Sequence, residues 1–278
     1  MTVVHELIED QRRFFAEVMG ARPIAPDVRL RETDLGLEVT ITGTRPRGTV
    51  LWVHGGAFVA GSARTAVAPA VHVARAAGAR LLSIDYRLAP EHPHPAALDD
   101  ALAAYWAVLA AVPAHELAVA GESAGGTLTL ALLLAARDAG LPLPRAAVVL
   151  SPASDLTMAG ASHRTKSGVD PVVRADLLRA SFEAYRAGAD AADPRISPLH
   201  ADLAGLPPTL IQCGSHEVLL DDSTRLAARL AAADVAVTLE VAPGMPHVFQ
   251  ARGPELPEAG AALRSIGRFL REHLDAAP

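Results

Sequence analysis

The sequence predicts an α/β chain built on an open, mostly parallel, doubly wound sheet. Two observations carry the prediction. Short β-rich apolar runs alternate along the chain with helical patterns of one to two dozen residues. Several of those runs, Val50-Leu51-Trp52-Val53 and Ala147-Val148-Val149-Leu150 among them, are apolar on both faces. That suits strands covered by helices on each side of a parallel sheet.

In chain order, residues 4–19 carry an amphipathic helix pattern, and a first strand is expected at 37–42. The run at 49–54 reads as a buried strand and is followed by a helix at 65–77. A strand at 80–86 leads through Pro90, Pro93 and Pro95, which stiffen the route, into a helix at 95–109. A strand at 117–121 is followed by a helix at 125–139, and a further strand falls at 146–151. After the strand at 209–214 come a helix at 222–232, a strand at 235–241 and a last helix at 258–274. Two segments interrupt the alternation: residues up to about 30, and residues 159–203 with a helix at 171–187 and a Pro-punctuated run at 193–198. Both are expected to form a cap over the carboxyl edge of the sheet, where ligands bind in such folds, on one domain spanning 1–278. No internal repeat, linker or low-complexity tract is found.

Composition narrows the function classes. Half of the 278 residues are apolar, yet no run approaches the roughly 20 residues of a membrane span, so no membrane association is expected. The start, Met1-Thr2-Val3-Val4-His5-Glu6, has no basic cluster before an apolar core, as a secretory signal would. Cys213 is the one cysteine and falls in a predicted buried strand, and the absence of Asn excludes an N-glycosylation sequon. These features point to a reducing, cytoplasmic setting. Net charge is −6, Lys166 is the only lysine, and the arginines are scattered along the sequence without a basic stripe, which disfavours nucleic acid. No phosphate loop or dinucleotide fingerprint is present, and His92-Pro93-His94 lacks a further ligand at suitable spacing, so neither cofactor nor metal is expected.

The chemistry resides in Gly121-Glu122-Ser123-Ala124-Gly125, placed between an apolar strand and a long helix. A serine on so sharp a turn has its hydroxyl pushed into the open, with free N–H groups of the helix N-terminus behind it. Ser123 is therefore the candidate nucleophile of an acyl-transfer enzyme. A serine hydroxyl needs a base, the base needs an orienting acid, and the oxyanion needs donors. His247, in the Gly/Pro-shaped loop Pro243-Gly244-Met245-Pro246-His247 after the last strand, is the candidate base among eleven histidines. Glu217, Asp221 and Asp222 follow the preceding strand; Glu217 comes first and is taken as the acid, while Asp221 and Asp222 are read as charges opening the next helix. The oxyanion hole is placed at Gly55, Gly56, Ala57 and Ala124: the N–H groups of Gly56, Ala57 and Ala124 serve as donors and Gly55 shapes the loop.

Together, His54-Gly55-Gly56-Ala57-Phe58, Asp85-Tyr86-Arg87-Leu88-Ala89-Pro90-Glu91-His92-Pro93, Gly121-Glu122-Ser123-Ala124-Gly125-Gly126, Ser151-Pro152 and Pro246-His247 resemble the successive blocks of the hormone-sensitive-lipase-like branch of the α/β-hydrolases. The resemblance implies an α/β-hydrolase fold with a helical cap and serine carboxylic-ester hydrolysis. It also implies that Glu217 stands where the family's block Asp-Pro-Leu-x-Asp carries its triad acid. The Ser-His-Glu version and the stretch Gly214-Ser215-His216-Glu217-Val218-Leu219-Leu220-Asp221 are similar to monoterpene ε-lactone hydrolases and related bacterial esterases, making an ester or lactone the expected small-molecule substrate. Ala57 departs from the family's third glycine, and Glu122 stands where Asp is commoner. A buried Asp85–Arg87 pair is expected to brace the site loops. Trp52, Phe58, Phe14, Phe15, Phe182 and Tyr185 are candidates for pocket, cap or core. Relatives often pair through the last strand, so a homodimer is expected there. Two other readings remain: a catalytically silent ligand-binding module on the same fold, like plant gibberellin receptors, which lack the histidine, and an amide or carbamate hydrolase using the same triad.

Overall fold

The structure, a computed structural model, describes residues 2–21 and 24–275. Among these, eight strands form one sheet in the spatial order β1-β2-β4-β3-β5-β6-β7-β8. The strands are β1 (Val28–Thr33), β2 (Gly36–Ile41), β3 (Thr49–Val53), β4 (Arg80–Ile84), β5 (Leu117–Glu122), β6 (Ala146–Leu150), β7 (Thr209–Gly214) and β8 (Val237–Ala242). Only β2 runs against the others, pairing antiparallel with both β1 and β4. From β3 the chain passes outward to β4 on one side and then to β5 on the other. The strand order therefore reverses at β3 and β5, and a crevice opens at their carboxyl ends, with Val53 directly opposite Gly121.

Alternation along the strands builds two cores. Leu51 and Val53 of β3, Val119 of β5 and Val149 of β6 face one layer. It is filled by α3 (Ala96–Leu109), α4 (Ala124–Asp138), α6 (Ala175–Arg186) and α7 (Leu220–Ala232). Val50, Trp52, Ala118, Ala120 and Val148 face the other, against α2 (Val67–Ala77) and α8 (Pro257–Leu274). Strands β3, β5, β6 and β7 are buried along their whole length, which explains their unbroken apolar runs. Among the described residues no helix is long and apolar enough to cross a membrane.

The predicted elements recur with shifts of a few residues at their ends. One strand was not anticipated. β1, Val-Arg-Leu-Arg-Glu-Thr, is an edge strand whose charged residues sit largely in solvent, so its apolar signal is thin. The amphipathic N-terminal pattern forms α1 (Thr2–Phe14), followed by a π-helical turn over Phe15–Met19. In the interruption at 159–203 the structure holds the short helix α5 (Ser162–Thr165) and α6, which starts at Ala175 because Pro171 precedes it in a non-helical bend. Trp52 belongs to the core behind the sheet, whereas Phe58, Phe182 and Tyr185 pack together on the front, Phe58 stacking on Tyr185 at 3.9 Å between ring centroids. Phe14 is exposed, and Phe15 packs against the front core.

Candidate active site

Ser123 occupies the turn between β5 and α4 with φ 54° and ψ −123°, a conformation that side-chain-bearing residues rarely adopt. Neighbouring bonds hold it there. Its N–H donates to Leu150 O at 2.8 Å, and its carbonyl accepts the N–H groups of Gly126 and Thr127 at 3.0 and 3.2 Å. The turn is tight enough to demand glycine on either side. A Cβ on Gly121 would lie 2.4 Å from Gly125 O, and one on Gly125 would lie 2.0 Å from Val53 O. Glu122 and Ala124 are buried while Ser123 is partly exposed.

The loop after β3 lies against this turn. Gly56 has φ 115°, and Ala57 and Phe58 follow with φ 53° and 66°. The Gly56 carbonyl accepts the N–H groups of Val59 and Ala60, closing the loop on itself. Gly55 donates its N–H to Glu122 Oε1 at 3.4 Å, and a Cβ there would come within 3.2 Å of Ser123 Cβ. Its part is thus close approach, with the N–H already engaged. His54 is fully buried, stacks on Tyr86 at 4.1 Å, and donates from Nδ1 to Gly55 O at 2.7 Å, since a carbonyl can only accept. Burial pulls its pKa down to about 4, so the ring is neutral at pH 7. Tyr86 returns a bond from its hydroxyl to His54 O at 2.9 Å. From outside, Arg12 of α1 donates to Val59 O and Ala89 O at 2.8 and 3.0 Å while pairing with Glu91.

The loops after β7 and β8 bring Glu217 and His247 together. Glu217 is wholly buried; its Oε2 accepts the Gly214 N–H at 3.0 Å and the Ser151 hydroxyl at 2.8 Å. Oε1 faces His247 Nδ1 at 3.9 Å, an ion-pair distance longer than a hydrogen bond. Neither atom has another partner among the described residues. A small ring or carboxylate rotation would bring them within hydrogen-bond distance. Burial lowers the His247 pKa, but Glu217, with Asp170 and Glu122 adding, outweighs it, and the pKa ends above the ordinary histidine value. Ser151, itself at φ 48°, links the two loops by also accepting the Val248 N–H at 3.2 Å. Gly214 permits the approach: a Cβ there would lie 1.9 Å from Met245 O.

One expectation needs correction. Arg87 does not pair with Asp85; it forms a fork with Asp100 on the surface, while Asp85 accepts the Ala63 N–H at 2.7 Å. Residues 85 and 87 are both exposed, on an irregular stretch after β4, and each is engaged by a different neighbour. Asp221 and Asp222 lie in the first turn of α7, as expected of charges that open a helix, although neither side chain forms an N-cap hydrogen bond. Asp222 is wholly buried against His163 Nε2 at 2.8 Å and accepts the Asp155 N–H at 3.0 Å, and Asp221 accepts the Ser162 N–H at 3.0 Å. Both fasten the segment beginning near Asp155 to the base of α7. Ser151 and Asp170 carried no sequence signal of their role beyond the Ser151-Pro152 block, because their partners lie 66 and 48 residues away.

The profile of a family described by the alpha/beta hydrolase fold matches residues 50–251. The chain belongs to that α/β-hydrolase family. An acetyl-hydrolase of Streptomyces hygroscopicus is 45% identical to this hydrolase over 224 residues, 80% of the chain and 75% of the relative. Among solved structures, an esterase of the bacterial hormone-sensitive lipase family superposes with a TM-score of 0.91 at 39% identity, covering 98% of this chain and 97% of the other. EstE5, crystallised and soaked with p-nitrophenyl butyrate, gives a TM-score of 0.91 at 39% identity, covering 97% and 92%. With relatives of this kind along most of its length, the hydrolase is of the carboxylesterase type.

Proposed function

We propose that this hydrolase cleaves short-chain carboxylic esters with Ser123 as nucleophile, His247 as general base and Glu217 as the orienting acid. The observation that carries the reading is the buried Glu217–His247 pair, whose facing atoms have no other partner among the described residues, reached from the same sheet edge as Ser123. His247 takes the Ser123 proton as the hydroxyl oxygen attacks the ester carbonyl. Glu217 keeps the imidazole in the tautomer with its proton on Nδ1 and stabilises the imidazolium that forms. The N–H groups of Gly56, Ala57 and Ala124, for which no acceptor is found among the described residues, receive the oxyanion, with Gly55 letting the loop approach. His247 then protonates the leaving alcohol, and water, deprotonated by the same ring, releases the acid.

Residues 1–30 and 159–203 serve as the cap. In their described parts, Arg12 on one and Phe182 and Tyr185 on the other rest on the loop that follows β3. Phe182 and Tyr185 form an aromatic cluster with Phe58, and the preference for short acyl groups is in keeping with an acetyl-hydrolase relative. Lactones present the same carbonyl, and the glutamate at 217 is the feature that keeps them beside open-chain esters. The test is a p-nitrophenyl ester series of graded chain length run beside lactones and amides, with Ser123→Ala as control. Turnover should be highest on acetyl or butyryl esters and should fall by orders of magnitude in the variant, with loss of fluorophosphonate labelling. A variant that keeps its rate would overturn the assignment.

A further inference from the structure

One carboxylate outside the triad reaches its machinery. Asp170 sits between α5 and α6, in the segment proposed as cap. Its Oδ2 accepts the N–H of Val218, the residue directly after Glu217, at 3.0 Å. Its Oδ1 accepts the N–H groups of Val172 and Val173 at 2.8 and 3.0 Å, and its own N–H donates to Lys166 O at 2.9 Å. The bonds to 172 and 173 close a local turn, as Asp often does. The bond to Val218 crosses 48 residues and has no part in that turn. Ser162 ties the same stretch a second time, donating its hydroxyl to Val218 O at 2.7 Å and accepting the Asp221 N–H at 3.0 Å.

We propose that Asp170 is a positioning residue for hydrolysis: it clamps the Glu217–Val218 backbone so that Glu217 stays set against His247, and adds a negative charge on the cap side of the imidazole. This rests on the triad reading above. Three carboxylates act on His247, each from a different element: Glu217 after β7, Glu122 at the end of β5, and Asp170 from the cap. Each favours the protonated ring and opposes the effect of burial. The cap therefore contributes to the basicity of the proposed catalytic ring.

The experiment is kcat/KM against pH for wild type, Asp170→Asn and Asp170→Glu on p-nitrophenyl butyrate, with Ser123→Ala alongside. The ring works as a base only when neutral, so activity rises with pH through the His247 pKa. Asn removes the charge and presents an NH2 group or a single oxygen where two accepting oxygens stood. The acidic limb should move down by roughly half a pH unit, and kcat should fall about tenfold. Asp170→Glu retains the charge and should keep the limb near its wild-type position. If Asp170→Asn does not fold, Asp170→Ser, which can still close the local turn, takes its place with the same expected limb shift. Serine-dependent activity with an unmoved limb would overturn the role of Asp170 and leave the triad intact. Activity surviving in Ser123→Ala would instead overturn the triad reading itself.

Discussion

Replacing Ser151 with alanine tests whether the loops bearing Glu217 and His247 are coupled through one hydroxyl. Ser151 Oγ donates to the buried Glu217 Oε2 at 2.8 Å and accepts the Val248 N–H at 3.2 Å. Removing it leaves Oε2 with Gly214 N–H alone, at 3.0 Å. A hydrogen bond to a charged group contributes about 1.5–3 kcal/mol. If that cost falls on the alignment of Glu217 with His247, kcat drops roughly ten- to a hundredfold. The Val248 N–H loses its acceptor as well, which adds about 1–3 kcal/mol to the destabilisation if water cannot replace the hydroxyl. Ser151→Gly separates the two effects. Ser151 has φ 48°, which costs a side-chain-bearing residue about 1 kcal/mol and glycine almost nothing. Glycine should therefore recover part of the lost stability without recovering rate. Initial rates on p-nitrophenyl butyrate and urea melts of the three proteins provide the readout. Wild-type kcat in Ser151→Ala would refute the coupling, as would a glycine variant whose rate recovers with its stability.

Two further outcomes follow from the same geometry. His54 should remain neutral down to about pH 4, as read from its ring-proton titration by NMR. In the unfolded chain it protonates near 6.5, so its contribution to stability is full above that value and is lost as pH falls from 6.5 to 4, by about 3 kcal/mol in urea melts; titration of the native ring near 6.5 would contradict this. Gly214→Ala should push the loop bearing His247 outward, because the new Cβ would meet Met245 O at 1.9 Å. Circular dichroism should show the sheet retained while turnover falls roughly a hundredfold, and an unchanged rate would show that the loop yields without moving the ring.

The sheet and the chemistry differ in how plainly the sequence shows them. β3, β5, β6 and β7 are buried on both faces and so appear as unbroken apolar runs. Strand β1 has one weakly covered face and alternating arginines, and no such run marks it. The proposed roles of Ser123, His247 and Glu217 were read from position, because each sits on a loop after a strand, where Gly or Pro punctuates the chain. The bonds around these residues could not be read in that way. The Ser151 bridge and the Asp170 clamp depend on bonds between segments far apart in sequence. The displaced partner of Arg87 makes the same point from the other side: proximity along the chain suggested Asp85, and the fold supplied Asp100.

Arg12 gives the first helix an influence beyond its own packing. One guanidinium occupies carbonyls at residues 59 and 89, so two loops leaving adjacent strands share a single tether from the outermost helix. Trimming the chain behind that arginine to obtain a smaller catalyst would release both loops at once. The damage would register as slackness around the reacting carbonyl, far from the cut, and mending it would require a new donor spanning those two oxygens.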